Sequence, residues 1–231
     1  MSEVTVISLG GSIIVPDSVD AAFLSEFSRA VQEFLSERKE QSLIIVTGGG
    51  SSARKYQQAY KEIVQKPSPF QADLIGIAAT WLNAQLLQSI FEEFSSPEIV
   101  TDPTAKISFT RQILIAAGWK PGFSTDNDAV ILAERFGAKR VINLSNIPKV
   151  YSADPKLDPS AVPLDHITWA DFRAMVGDTW NPGSNVPFDP VAAKRASEIQ
   201  LEVITANGRD IENTMHILHH QPFHATVIGP R

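Results

Sequence analysis

Leu43-Ile44-Ile45-Val46-Thr47-Gly48-Gly49-Gly50-Ser51-Ser52-Ala53-Arg54-Lys55 is the stretch that decides how this chain folds. Its first four residues are apolar and mostly β-branched, the signature of a short buried strand. The strand runs directly into three glycines and then into a helical pattern over 52–64. Glycine has no Cβ, so its backbone can approach an anion closely and can adopt positive φ. A helix that begins just past such a turn adds unsatisfied N–H groups and the positive end of its dipole. The combination suits a bound phosphate. Near the N-terminus the pattern recurs, with Val4–Leu9 running into Gly10-Gly11-Ser12. Two such turns in one small domain imply two phosphate groups that must meet. Taken singly, each is equally a tight strand-to-helix turn. Neither is a G-x-x-x-x-G-K-[ST] loop, and no G-x-G-x-x-G run follows a strand.

Outward from these turns, strand and helix signals alternate. Residues 4–9, 43–46, 112–117, 140–144 and 201–206 are short and mostly apolar, as buried parallel strands are. Helices are expected over 21–38, 52–64, 71–94, 125–136, 169–176 and 189–199. The first carries Phe23, Phe27, Ala30, Val31 and Phe34 on one face. The last opens on Asp189-Pro190, an N-cap followed by proline in the first turn. This β-α alternation predicts a three-layer αβα sandwich with a central, mostly parallel sheet. Prolines crowd in from Pro148 onward, at 155, 159, 163, 182, 187 and 190, and mark a loop-rich region over about 146–190.

Bulk properties narrow the function. At 231 residues the chain fits one large domain or two small lobes, and 43% hydrophobic content supplies a sizeable core. A formal charge of −6 argues against a nucleic-acid binder, though not against a local basic pocket for a small anion. Without cysteine there is no disulfide, thiolate metal site or cysteine nucleophile. The strand-like start argues against a signal peptide, and no apolar run approaches the roughly 20 residues that span a bilayer. A cytoplasmic protein without membrane contact is expected. His216 and His220 are spaced for one helical face, but no carboxylate motif accompanies them, so no protein metal site is expected.

Beyond the glycine turns, further segments stand in a recognisable order. They are Ala72–Thr80 with Leu82-Asn83-Ala84, then Gly118-Trp119-Lys120-Pro121-Gly122-Phe123-Ser124-Thr125-Asp126. Next come Asn146 through Tyr151-Ser152-Ala153-Asp154-Pro155-Lys156, and Phe188-Asp189-Pro190-Val191-Ala192-Ala193-Lys194. Together with both glycine loops they resemble the UMP kinases of the amino-acid kinase superfamily, and most closely the archaeal-type branch. The resemblance covers nearly the whole chain. It implies one kinase domain, with an acceptor-binding lobe over about 1–140 and an ATP-binding lobe over about 141–231. It also implies transfer of the ATP γ-phosphoryl group to UMP with Mg²⁺, and a homohexamer.

The same resemblance assigns residues. Gly10, Gly11, Ser12, Asn146, Tyr151 and Asp154 would face ATP, and Gly49, Gly50, Arg54, Asp73, Ser124 and Thr125 would face UMP. Asp189 would organise catalytic charge, with Lys194 beside it. Physical chemistry agrees in kind: phosphoryl transfer needs positioning and charge neutralisation rather than a covalent nucleophile. Arg54, one turn past Gly50, can clamp phosphate bidentately. Plain structural roles stay open for several: an N-cap for Asp73 and for Asp189, a helix cap for Ser124 or Thr125, and a β-turn for Ala153–Lys156. Asp128 is an extra carboxylate without an assigned role.

Two departures stand out. Many superfamily members place lysine where this chain has Ser8, so another cation must meet the developing charge: Lys194 first, then Arg54, Lys120 or Mg²⁺. Asn146-Ile147-Pro148-Lys149 replaces the usual Asn-Val-Asp-Gly, and its proline removes an N–H donor. Lys149 could supply charge there or sit exposed in a variant turn. Two other functions remain open: a non-catalytic nucleotide sensor of the same fold, and a superfamily kinase acting on another acid or phosphate.

Overall fold

Strand β1 (Glu3–Leu9) lies at the centre of one continuous sheet, flanked by β2 (Gln41–Thr47) and β4 (Arg140–Ser145). Beyond them lie β3 (Ile113–Ala116) on one side, and β6 (Glu202–Asn207), β7 (Thr226–Ile228) and β5 (His166–Ile167) on the other. The strand order is β3-β2-β1-β4-β6-β7-β5, and every pair is parallel except β6–β7. The computed structural model describes residues 3–177, 179 and 186–230. Pro182, in the proline-rich region, lies outside the described residues.

Helices cover both faces of the sheet. Strand side chains alternate, so Ile7, Leu9, Leu43, Ile45, Ile142 and Leu144 form one core with α1 (Gly11–Ile14), α2 (Ala21–Glu37), α4 (Pro69–Ile90) and α8 (Ile211–Leu218). Val6, Ile44, Val46, Leu114 and Val141 face the other way, onto α5 (Thr125–Phe136), α6 (Trp169–Val176) and α7 (Pro190–Glu198). Helix α3 (Gly50–Ile63) packs along α4. This is the expected αβα sandwich.

All the strands and helices expected from periodicity are present. Helix α4 stops at Ile90, short of the expected Phe94, because the chain turns at Phe91, whose carbonyl accepts from both Phe94 and Ser95. The elements that escaped notice are α1, β5, β7 and α8. The first three are too short to carry a period. Helix α8 is announced only by its cap, Asp210 accepting from the Asn213 N–H at 2.9 Å. It ends at Leu218, so His216 and His220 do not share a helical face. His220 instead has φ +57 and lies 2.8 Å from the Arg140 guanidinium.

The chain leaves β1 toward β2 and β3, then returns to β4 on the far side of β1. Such a reversal opens a crevice at the carboxyl ends of the strands. The glycine turns sit there, backbone against backbone. A Cβ on Gly11 would fall 2.0 Å from the Gly50 nitrogen. One on Gly50, at φ +66, would fall 2.3 Å from the Gly11 carbonyl oxygen. Gly11→Ala is therefore expected to cost more than the ~1–3 kcal/mol of ordinary overpacking. Gly137→Ala, at φ +66 in open space, should cost about 1–2 kcal/mol for its left-handed backbone alone. Denaturant unfolding of both variants checks the contrast.

Candidate active site

A cleft of about 960 Å³ lies over these turns. Gly49, Gly50, Arg54 and Lys61 line it from α3, and Asp73 and Thr80 line it from α4. Phe123, Ser124 and Thr125 close one side, and Ser12 and Asn146 reach it from the β1 and β4 ends. The site residues expected on the acceptor side thus converge, from separate elements. On the ATP side Ser12 and Asn146 join them, and Gly10 and Gly11 lie beneath in the interlocked turns. Tyr151, Asp154, Asp189 and Lys194 are outside the cleft lining.

The phosphate-binding capacity of the turns can be counted bond by bond. Gly48 donates to the Leu9 carbonyl at 3.0 Å, and Gly10 donates to the Leu144 carbonyl at 2.8 Å. Those N–H groups are committed to the fold. Among the described residues the Gly49 and Gly50 N–H groups have no acceptor, and they stand at the start of α3. Arg54 follows one turn later, exposed and without an ion pair among the described residues. Lys61, two turns on, puts a second cation in the cleft. Its i+7 spacing from Arg54 was the available sequence signal.

Helix α4 braces the turns from behind. The Asn83 side-chain amide donates to the Gly48 carbonyl at 2.7 Å, and Thr47 Oγ1 donates to the Thr80 carbonyl at 3.0 Å. Asp73 is no N-cap, because α4 begins at Pro69 after Ser68. Its Oδ2 accepts the Gly122 N–H at 3.0 Å, on the rim of the cleft. Ser124 does cap its helix, accepting from the Asn127 N–H at 3.2 Å.

Ser8, which stands in place of lysine, donates to Asp126 Oδ1 at 2.9 Å. The other Asp126 oxygen accepts the Asp189 N–H at 3.3 Å. Asp189 is buried and caps α7, accepting from Ala192 at 2.8 Å. Burial, reinforced by the Asp189 carboxylate nearby, pushes Asp126 up to about 6. Burial likewise pushes Asp128 up to about 7, with further repulsion from Asp126 and Asp189. A lysine at position 8 would meet this acidic group directly; Ser8 offers only a hydroxyl, whose bond to Asp126 partly offsets the upward push of burial.

The remaining candidate cations are elsewhere engaged or exposed. Lys149 pairs with Asp165, 16 residues further along the chain and just before β5. Lys120 lies 3.7 Å from the centre of the Trp119 ring. Lys194 is exposed on α7. Asp154 accepts the Lys156 N–H at 2.9 Å, which makes Ala153–Lys156 a turn in its own right.

The chain is similar to known proteins in sequence and in fold. Residues 3–207 match the family model described as the amino acid kinase family. The uridylate kinase of Methanocorpusculum labreanum is 33% identical over 229 residues, covering 97% of this chain and 94% of the relative. That of Thermococcus sibiricus is 35% identical over 216 residues, covering 91% and 92%. The crystal structure of uridylate kinase from Archaeoglobus fulgidus superposes with a TM-score of 0.82 at 32% identity, covering 97% of this chain and 99% of that one. UMP kinase from Bacillus anthracis, at 18% identity and a TM-score of 0.76, shares the fold.

The raised carboxyls predict a pH dependence. Asp126 and Asp128 bind protons more tightly folded than unfolded. Their contribution to stability is complete below the unfolded value of about 3.9 and is lost as pH rises through about 6 and 7. The melting temperature should therefore fall between pH 5 and 8. In Asp128→Asn the fall should be shallower, because one titrating group is gone. Calorimetry of both proteins across that range provides the check.

Proposed function

The chain belongs to the amino acid kinase family, and we propose that it is a nucleoside monophosphate kinase that transfers the γ-phosphoryl group of MgATP to UMP, giving UDP for pyrimidine nucleotide biosynthesis in the cytoplasm. The observation that carries this reading is the pair of interlocked glycine turns at the carboxyl ends of β1 and β2, with Arg54 beside them in one cleft. In-line transfer requires donor and acceptor phosphates to be held end to end, and two anion sites sharing a backbone contact do that.

In this scheme the Gly49 and Gly50 N–H groups and Arg54 grip the UMP phosphate. Asp73 accepts from the ribose hydroxyls, and Ser124 and Thr125 contact the nucleotide at the start of α5. Gly11 and Ser12 hold the ATP phosphates, with Gly10 anchoring their turn through its N–H bond to Leu144, and with Asn146, Tyr151 and Asp154 on the nucleoside side. Asp189 orders the charge between the two substrates. Among the described residues no three acidic or histidine side chains form a metal cage. Mg²⁺ would accompany ATP and would supply further positive charge to the phosphates. Lys194 is the lysine assigned to the charge that develops on the transferred group. Residues 1–140 carry the acceptor half of the site and 141–231 the ATP half.

The outer face of α4 exposes Phe70, Leu74, Trp81 and Leu82, with Leu82 68% exposed. Such a face supports association of copies, and the resemblance to the UMP kinases favours a hexamer. No helix among the described residues is long and apolar enough to cross a membrane.

A coupled assay with MgATP and UMP should yield UDP well above a no-enzyme control. Protein that binds UMP but forms no UDP would be a sensor instead. Arg54→Ala should raise the KM for UMP about 10- to 100-fold, the loss of a charge-assisted bond, and leave that for ATP nearly unchanged. Lys194→Met should lower kcat about 30- to 1,000-fold with little change in UMP affinity, if the contact strengthens only as charge develops. Steady-state kinetics of the two variants separates these roles, and a wild-type kcat in Lys194→Met would return Lys194 to the surface.

A further inference from the structure

Asp128 is a buried carboxyl that the chemistry above does not use. It is 1% exposed on α5, among Ala129, Val130 and Leu132. Its Oδ2 accepts the Trp119 N–H at 3.1 Å, and its Oδ1 has no hydrogen-bond partner. A carboxyl held this way is costly, and an apolar residue would serve the core better. What it secures is the segment 118–123, which forms a wall of the cleft through Gly118 and Phe123.

That wall is tied to α4 as well. Gly118 donates to Thr80 Oγ1 at 2.8 Å and accepts from the Trp81 indole at 2.9 Å, and Gly122 is held by Asp73. Asp128 supplies the tie from α5, at the residue whose ring meets Phe123. The Trp119 and Phe123 ring centres are 5.1 Å apart, and the Lys120 ammonium lies 3.7 and 4.7 Å from them. The amide tied to Asp128 and the ring that meets Phe123 thus belong to one residue, Trp119.

We infer that Asp128 is a positioning residue for acceptor recognition: through the Trp119 N–H it holds Phe123 as an aromatic wall against the nucleoside of the acceptor. An aromatic face beside a flat base is favourable packing, and it needs a fixed ring. The inference rests on the reading of this cleft as the nucleotide acceptor site.

The test compares Asp128→Ala, which removes the accepting oxygen, with Asp128→Asn, which keeps one. Asp128→Ala should raise both the KM and the calorimetric Kd for UMP about tenfold, while the KM for ATP stays within about twofold. Asp128→Asn should recover most of the UMP affinity. Phe123→Ala should show a similar loss, and adding Asp128→Ala to it should cost little more, because the two act through one wall. Equal losses for both substrates, an Asn variant as weak as the Ala variant, or additive losses in the double variant would overturn the inference. If Asp128→Ala does not fold, the isosteric pair Asp128→Thr and Asp128→Val decides. UMP binding restored by threonine over valine supports the inference, and equal binding sinks it. Should the wild type neither bind nor phosphorylate UMP, the acceptor reading itself fails. Amide exchange over 118–123 then stands alone: faster exchange in Asp128→Ala, restored in Asp128→Asn, supports the positioning role, and unchanged exchange refutes it.

Discussion

Everything at the mouth of the sheet depends on the contact between the Gly10-Gly11 and Gly48–Gly50 backbones. No side chain fits between them, since even a methyl group on Gly11 would overlap the Gly50 nitrogen. This closeness lets two glycine turns share one crevice. It also explains why so many buried polar groups converge behind them. Thr47, Thr80 and Asn83 spend their hydrogen bonds on the turns and the adjoining strand ends. Asn83 donates to the Gly48 carbonyl and Thr47 to the Thr80 and Ala116 carbonyls, while Thr80 Oγ1 accepts the Gly118 N–H. Freed from that duty, the Gly49 and Gly50 N–H groups remain for a ligand.

The electrostatics follow from the same crowding. Asp126, Asp128 and Asp189 lie near one another with little water, so two of them hold protons unusually tightly. Ser8 fits this setting because its hydroxyl satisfies Asp126 without adding charge. Positive charge is placed instead at the cleft wall, on Arg54 and Lys61. Lys120 and Lys149, which the sequence offers as alternatives, are held by aromatic rings and by Asp165. Arg54 and Lys61 thereby bring positive charge to the cleft of an acidic chain, which suits a small anionic ligand.

Much of this was legible beforehand. The alternation of apolar strands with amphipathic helices specified the sandwich, because residues such as Val6 and Ile7 must face opposite cores. The glycine turns pointed to anion sites because two of them occur in one domain, each directly after a strand. Asp73 was harder. Its place in the chain allowed an N-cap, and only the start of α4 at Pro69 removes that possibility. Asp189 kept both of its readings, since it caps α7 and also stands beside Asp126.

Sequence alone determined the sandwich, the glycine turns and the candidates around them, since periodicity, turn composition and charge are local properties carried by neighbouring residues. Tertiary structure decided which candidates meet. It gathered Ser12, Arg54, Asp73, Thr125 and Asn146 into one cleft, gave Lys149 to Asp165, and tied Asp128 to Trp119. It also placed β7 antiparallel beside β6 and joined Ser8 to Asp126 across 118 residues. These are long-range pairings. Their energy depends on distance and burial between residues far apart in the chain, and no local pattern encodes either.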